Sequence, residues 1–310
     1  MNLENIKYVV DNSDYVKINK TKLDEFIKDL GEVNYNHWYK SLKLDLSEKE
    51  RIIMVFLIES LNFCFWKKPK WKIEYEERAV HGSEALFFSI IKEIKKDKSF
   101  LDVSKLSKTT KEEFIKIFSS IEGEIPLINE RYDLFLDTIK VIDSKKEMFF
   151  EELFSVKNDV ELLDYIASNF KYFQDFSNYK ERKIEFNKRA ILLTNDLYYI
   201  SDTINSNIKN ANSLFGCADY GIPKTLRHYG ILEYNKELAA MVDNEIEIEH
   251  NSCMEIEIRA NMVYVLELIK IELAKKNIIV NSVELDNLVW SMGKKNKSNV
   301  PYHHTVTIAY

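Results

Sequence analysis

The chain has 310 residues and the composition of an ordinary folded domain, with 45% hydrophobic and 30% charged residues. Its net charge is −6 at pH 7, and the sequence pI is about 5.7. Proteins that bind a phosphate backbone usually carry a basic surface, because their affinity comes from neutralising phosphates. The acidic balance therefore disfavours a nucleic acid as a stable partner.

The cysteines and the apolar segments of the chain restrict the class of protein further. Cys64, Cys217 and Cys253 are odd in number and far apart, which predicts neither a disulfide framework nor a zinc site. An isolated cysteine is usually a small buried hydrophobe, which disfavours Cys217 as a nucleophile. The N-terminus is polar, unlike a signal peptide, and the longest apolar run, residues 52–58, is too short for a membrane span. We expect a soluble cytoplasmic protein that needs no metal or cofactor and has no membrane partner.

Helical signals dominate the chain, and only 7 Gly and 4 Pro interrupt it. Capping boxes begin at Ser47, Thr110 and Asn158, each in front of an apolar run. The run after Ser47 is apolar on nearly every side, which predicts a central buried helix. Apolar residues at helical spacing between 258 and 273 predict another helix.

Strand signals are few. Residues 70–75 (KWKIEY) alternate as in a half-buried strand, and residues 305–310 (TVTIAY) favour a strand at the C-terminus. No long linker or internal repeat separates the chain into units. The sequence therefore predicts one mainly α domain over residues 1–310, with a small β-hairpin and a short C-terminal strand.

The first stretch with possible chemistry is residues 214–230, LFGCADYGIPKTLRHYG. Pro223 suits the first turn of a helix, and Gly230 suits its left-handed end. Asp219 lies in the turn that leads into this helix. An acid at that place is more often a helix cap than a functional group. The alternative is a carboxylate that the turn and the helix dipole keep ionised.

Three other stretches have a structural and a functional interpretation. Lys188 and Arg189 adjoin the start of an apolar helix, where a solvated face is favoured over a phosphate clamp. Asp286 and Trp290 are spaced to share a helix face, which a core tryptophan beside a surface acid would also explain. The aromatic residues of LNFCFW (61–66) are more simply core residues than a base-stacking platform.

Taken together, these stretches resemble the queuosine salvage protein family, the queuosine 5′-phosphate N-glycosylases/hydrolases. The matching motifs, in order, are LNFCFW (61–66), IPLINER (125–131), FNKRAILLTND (186–196), CADYGIPKTLRHYGIL (217–232), EIEIRA (255–260), ELDNLVW (284–290) and VPYHH (300–304). Each motif alone is weak, whereas the ordered set is specific. The C-terminal half of the chain carries most of the resemblance.

The resemblance implies a cytosolic, mainly helical protein with an architecture similar to DNA glycosylases. Such a protein releases queuine from queuosine 5′-phosphate, a small-molecule nucleotide, so that the base can be reused in tRNA. The resemblance implies Asp219 as the catalytic aspartate, Asp286 as a base contact and Lys188 as a contact for the 5′-phosphate. The other substrate-binding residues that it implies are Cys217, Ala218, Tyr220, Asn287, Trp290 and Ser291.

This chain departs from the family at three of its motif positions. The family usually has Phe at the position of Cys217, Arg at that of Gly221 and an acid at that of Ser291. A queuine precursor, or a nucleoside without phosphate, therefore stays an alternative substrate. A glycosylase of DNA or RNA bases is the enzyme alternative, and a non-catalytic queuosine- or nucleotide-binding protein is the other.

The implied residues can support cleavage of an N-glycosidic bond. The carbon C1′ becomes oxocarbenium-like in the transition state, and Asp219 could act there as nucleophile or as charge stabiliser. A 7-deazapurine has no N7 to protonate, so recognition of the base must contribute more. Asp286 could accept hydrogen bonds from the N1–H and the exocyclic amine, and the ring of Tyr220 or Trp290 could stack on the base.

Overall fold

The computed structural model describes residues 2–30, 35–209, 211–295 and 300–310. Fifteen α-helices dominate these residues. They are α1 (Leu3–Asp11), α2 (Lys20–Asp29), α3 (Glu48–Ser60), α4 (Ser83–Lys96), α5 (Val103–Leu106), α6 (Lys111–Ile117), α7 (Ile128–Lys145), α8 (Glu147–Ser155), α9 (Asp159–Asn169), α10 (Lys188–Ile200), α11 (Asp202–Asn207), α12 (Gly221–His228), α13 (Lys236–Asp243), α14 (Cys253–Lys275) and α15 (Ser282–Lys295). Short 3₁₀ helices cover Trp38–Ser41, Lys98–Leu101 and Lys171–Phe173. The prediction of a mainly α fold is confirmed.

The helices begin where the caps predict. Ser47 and Thr110 each form a reciprocal capping box with the glutamate three residues later, and Asn158 accepts a hydrogen bond from the Glu161 amide. Each cap satisfies backbone N–H groups that have no partner inside the helix. After its first turn, helix α3 is buried from Ile52 to Ser60, as its largely apolar sequence predicts.

Three small antiparallel sheets of two strands each lie among the described residues. Strand β1 (Val16–Ile18) pairs with β6 (Leu232–Tyr234), β2 (Lys72–Tyr75) pairs with β3 (Arg78–His81), and β4 (Phe176–Tyr179) pairs with β5 (Arg182–Glu185). The β2–β3 pair confirms the hairpin predicted from residues 70–75. The other two sheets were not predicted, because strands of three or four residues leave little periodic signal.

The predicted C-terminal strand at residues 305–310 is wrong. His304 forms only an isolated bridge with Glu247, and its carbonyl accepts from the Ile248 amide at 2.7 Å. The Tyr310 carbonyl accepts from the Cys64 amide at 2.8 Å. The β-prone side chains are buried or half-buried, but the backbone bonds to two separate segments instead of one continuous strand edge. Strand propensity reports that side chains fit a buried surface, and it does not supply a pairing partner.

Phe63, Cys64 and Leu134 form a small cluster of buried side chains, and two large clusters make up the rest of the apolar core. One gathers α3 and α10 with the helices around them, and the other surrounds α14. Cys217 belongs to the first cluster and Ala218 to the second, so the turn before α12 lies where the two clusters meet. Helix α15 also contributes to both, through Val283 and Leu285. The single-domain assignment and the similarity to DNA glycosylases stay predictions.

None of the described helices combines the length and the apolar character needed to cross a membrane.

Candidate active site

A cavity of about 290 Å³ lies at the junction of the two core clusters. Helices α3, α4, α10 and α15, the turn before α12, the segment of residues 35–38 and the C-terminal Tyr310 line it. Its polar and charged lining residues are Tyr35, Asn36, Glu59, Asn62, Ser83, Lys188, Asn195, Asp196, Asp219, Tyr220, Asp286, Asn287 and Tyr310. Four acids and one lysine thus face a single enclosed space, which is an unusual concentration of buried ionisable groups.

Asp219 is both a cap and a cavity residue. Its Oδ1 accepts hydrogen bonds from the amides of Gly221 and Ile222 at 2.8 and 3.2 Å, at the start of α12. Pro223 lies in the first turn of that helix, and Gly230 has the expected left-handed conformation after its end. The cap therefore fixes one oxygen of the carboxyl group, and the side chain also faces the cavity. Asp219 is therefore the helix cap and also the cavity-facing carboxyl group, which the sequence offered as alternatives.

Asp286 faces the same space from α15, and Trp290 lies on the same face of that helix one turn later. Burial raises the pKa of Asp286 well above its usual range, and the negative charge of Asp219 raises it further. Burial also raises the pKa of Asp219, against which the Lys188 ammonium and the two amides of the cap act. Because Asp219 has the additional amide donors and Asp286 has the larger upward shift, we assign the proton of the pair to Asp286.

Lys188 and Arg189 do not form the solvated face that their sequence favoured. Their exposed fractions are 5% and 2%. The Lys188 ammonium donates to the Asn62 carbonyl at 3.1 Å, and its charge lowers the pKa values of Asp219 and Asp286. Arg189 donates to the Ser60 carbonyl at 2.6 Å. Both cations are buried because α10 packs along α3, whose C-terminal carbonyl groups need donors.

Arg259 contacts the turn that carries Asp219 without lining the cavity. Its Nε donates to the Ala218 carbonyl at 3.0 Å, and its other nitrogens bind both oxygens of Asp175 at 3.1 and 2.5 Å. The same guanidinium contacts Glu255 at 3.3 Å. Asp175 in turn accepts from the Lys188 amide at 3.3 Å. This buried network connects the turn before α12 to the beginning of α10.

Glu59 is a further acid of the cavity. Burial raises its pKa to about 8, and the charge of Asp196 contributes to the shift. The Asn62 amide donates to Glu59 at 3.0 Å. Glu59 is therefore protonated at neutral pH in the folded chain.

We expect Glu59→Gln to stabilise the fold more at pH 8 than at pH 5. In the wild type the carboxyl pKa rises from 4.5 unfolded to about 8 folded, so stability is lost as pH rises through this window. Gln cannot ionise, so the Tm difference, variant minus wild type, should increase by on the order of 5 °C between these pH values. Thermal unfolding measures it. Glu74→Gln, at an exposed glutamate, is the control, and its Tm difference from the wild type should not change with pH. If the Tm difference of Glu59→Gln were equally independent of pH, a buried and protonated Glu59 would be contradicted.

Most of the predicted site residues meet at the cavity. Asp219, Asp286, Lys188, Cys217, Tyr220, Asn287 and Trp290 line it. Ala218 and Ser291 do not, although the Ala218 carbonyl belongs to the Arg259 network, and their substrate contacts stay predictions. Burial raises the pKa of the Cys217 thiol well above its usual range, which argues against a thiolate nucleophile.

Several lining residues were not identified from the sequence as site residues. Phe63 and Phe65, interpreted there as core residues, line the cavity, as do Glu59, Asn195 and Asp196. The last two follow Lys188 by seven and eight residues on α10, so one helix face carries all three. Polar residues at this spacing inside an apolar run were the available signal.

Gly221 brings the turn and α15 close together. A Cβ atom at this position would lie 3.0 Å from Cδ1 of Trp290. A larger residue would therefore require the indole to move. The glycine allows the Trp290 ring to close directly over the Asp219 turn.

A smaller basic recess of about 100 Å³ adjoins the cavity, and Phe65, Ser83, Tyr220 and Trp290 line both. Its basic residues are Lys70, His81, Lys224 and Lys294, and burial lowers the pKa of the His81 imidazole. Among the described residues none of these four forms an ion pair with an acid. Asp286, Trp290 and Lys294 are four residues apart along one face of α15, so about 12 Å of helix leads from the acidic cavity to the recess.

The described residues contain no group of three or more His, Cys, Asp or Glu side chains placed to hold a metal ion.

Comparison with known proteins identifies the family. The profile described as queuosine salvage protein matches residues 42–310. The chain belongs to the queuosine salvage protein family. A relative from Sphaerobacter thermophilus is 30% identical over 277 residues, which covers 88% of this chain and 85% of the relative. One from Dictyostelium discoideum is 30% identical over 322 residues, covering 96% and 95%. One from Bos taurus is 26% identical over 282 residues, covering 85% and 83%.

All three family members are named queuosine 5′-phosphate N-glycosylase/hydrolase. The family match includes every acid of the cavity, because its span begins before α3 and continues to the C-terminus.

Proposed function

We propose that this protein hydrolyses the N-glycosidic bond of queuosine 5′-phosphate and releases queuine for salvage. The observation that carries the proposal is the pair of carboxyl groups, Asp219 and Asp286, that face one enclosed cavity in a member of the queuosine salvage family. An oxocarbenium-like transition state needs a negative charge near C1′, and an enclosed site strengthens that interaction.

Asp219 is the group assigned to C1′. The amides of Gly221 and Ile222 fix its Oδ1 and support the ionised form, as does the nearby Lys188 ammonium. The carboxylate stabilises the developing positive charge while the base departs, and a water molecule adds its oxygen to C1′. The proton that this water loses replaces the one that the departing base takes up. A covalent route through the same carboxylate uses the same residue.

Asp286 is assigned to the deazaguanine base. Its Oδ1 is buried and has no hydrogen-bond partner among the described residues, so a donor on a bound base would satisfy it. The proton that burial and Asp219 keep on this group is available to the departing base. A proton from a carboxyl group replaces the N7 protonation that a 7-deazapurine lacks.

Mass spectrometry of the products tests the proposal most directly. Wild-type protein mixed with queuosine 5′-phosphate should yield free queuine and ribose 5-phosphate. Binding without any release of base would instead support a non-catalytic nucleotide-binding protein. A salt-sensitive gel shift with DNA or RNA, accompanied by release of a base from the polymer, would support a nucleic-acid glycosylase.

The proposed contact of Lys188 with the 5′-phosphate has its own test. Lys188→Met should raise KM for the monophosphate by about 10-fold more than KM for queuosine, since a charged hydrogen bond to phosphate is lost. Steady-state kinetics with both substrates measure the difference.

Lys294→Met is the matched comparison, because Lys294 belongs to the adjoining basic recess. Equal effects of Lys188→Met on both substrates would argue against a phosphate contact at Lys188. If instead Lys294→Met raised KM for the monophosphate more than KM for queuosine, the phosphate would be assigned to the recess.

A further inference from the structure

Two buried oxygen atoms at the α10 end of the cavity have no hydrogen-bond partner. Among the described residues, no donor reaches Asn195 Oδ1 or Asp196 Oδ2. Their residues are only 1% and 4% exposed, and both line the cavity that contains Asp219 and Asp286. Leaving a buried acceptor unpaired costs stability, so such atoms are usually paired with a ligand or water. The two oxygens therefore indicate a position for hydrogen-bond donors of a ligand.

The rest of each side chain is held firmly in place. Asp196 Oδ1 accepts from His37 Nε2 at 2.9 Å and from Trp38 Nε1 at 3.2 Å. His37 Nδ1 accepts from the Tyr39 amide at 3.3 Å, which places the imidazole proton on Nε2 and makes this nitrogen the donor. The Asn195 amide nitrogen donates to the Tyr35 hydroxyl at 3.2 Å. With one end of each side chain occupied by the protein, the other end is available to the cavity.

The surroundings favour a cation with additional donors. The ring of Trp38 lies 4.9 Å from that of Phe87, and both line this end of the cavity together with Tyr35. Aromatic faces and a carboxylate attract an ammonium group together. The cavity's lysine, Lys188, donates to the Asn62 carbonyl. An unpaired carboxylate oxygen and an unpaired amide oxygen on the lining of one cavity match an ammonium group and hydroxyl groups of one ligand.

We propose that Asp196 and Asn195 form a subsite for the protonated amine and the hydroxyl groups of a substituent on the base. The inference rests on the proposed function and deepens it. In queuosine the 7-position of the deazaguanine carries an aminomethyl group linked to a dihydroxycyclopentene ring, and this secondary amine is cationic at neutral pH. Asp286 contacts the guanine-like part of the base, and Asp196 contacts the charged substituent. The subsite makes the enzyme selective for bases with such a cation.

Three 5′-nucleotides test the subsite. They are queuosine 5′-phosphate, the 7-aminomethyl-7-deazaguanosine analogue, which keeps an ammonium group, and the 7-cyano analogue, which is neutral. The wild type should show a higher kcat/KM for the two cationic substrates. Asp196→Asn should lower kcat/KM for these by about 10- to 100-fold and change the value for the neutral analogue little. Asp159→Asn, at a buried acid that accepts from the Ser213 amide, is the control and should affect all three equally.

The outcomes separate the inference from the proposed function. Equal losses on all three nucleotides with Asp196→Asn would assign that residue a structural role and overturn the subsite. Equal kcat/KM of the wild type for all three would overturn it as well, even if the variant fails to fold. Release of no base from any of the nucleotides by folded wild-type protein would contradict the proposed function.

Discussion

Asp219→Asn should abolish release of queuine while leaving the fold intact. The asparagine oxygen can still accept from the Gly221 and Ile222 amides, so the start of α12 keeps its cap. The variant loses the negative charge near C1′, and we expect kcat to fall by roughly 10³-fold or more. Product analysis by mass spectrometry, with thermal unfolding of the same sample, measures both effects.

Asp102→Asn is the matched control for this experiment. Asp102 caps α5 in the same way, by accepting from the amides of Ser104 and Lys105 with one oxygen. It does not line the cavity. Asp102→Asn should therefore keep full activity. A loss of queuine release that only Asp219→Asn shows would then come from the active site and not from the loss of a charged cap. Normal queuine release by folded Asp219→Asn would refute the assignment.

Arg259→Met should cause the largest loss of stability. The side chain is fully buried and binds both oxygens of Asp175 as well as Glu255. Its removal leaves two buried acids without their cation, and we expect the free energy of unfolding to fall by about 3–5 kcal/mol. Denaturant unfolding measures the change.

Arg227→Met is the comparison for stability. Arg227 makes a similar two-oxygen contact with Asp243, at 2.7 and 3.0 Å, but the acid is half exposed. Solvent screening should limit that loss to about 1 kcal/mol. If Arg259→Met and Arg227→Met lowered the free energy of unfolding by similar amounts, burial would not explain the larger loss expected at Arg259.

Arg259 also acts on the site without lining the cavity, since its Nε donates to the Ala218 carbonyl beside Asp219. We therefore treat it as a positioning residue. Arg259→Lys keeps a charge but cannot bind two carboxylate oxygens and the carbonyl together. At a temperature where it is folded, this variant should show reduced kcat with little change in KM. An unchanged kcat would show that the Asp219 turn holds its geometry alone.

Local signals predicted those parts of the fold that depend on neighbouring residues in the chain. The caps at Ser47 and Thr110, the Gly230 end of α12 and the shared face of Asp286 and Trp290 are all interactions within a few residues. Burial of α3 also followed from its own apolar composition. Each of these predictions held because helix geometry alone brings the participating groups together.

Other features depend on segments that are distant in the sequence. Lys188 and Arg189 are buried because α10 packs along α3, and the sequence of α10 alone favoured a solvated face. The C-terminal segment is not a strand, because no continuous strand edge of the described residues lies beside it. Asp196 lines the cavity, where His37 and Trp38, distant in the sequence, hold one of its oxygens and the other is unpaired.

By itself the sequence determined the mainly helical fold, the family motifs and a capping aspartate at the start of α12. Only the tertiary structure decided that Asp219, Asp286, Glu59 and Asp196 face one enclosed cavity together with Lys188. The physical reason is that pKa shifts and unpaired oxygens arise from burial against distant segments. Desolvation by the folded chain, rather than any local pattern, raises the pKa values of Glu59 and Asp286 and keeps them protonated. At Asp219 the Lys188 ammonium and the two amides of the cap oppose that desolvation and support the carboxylate.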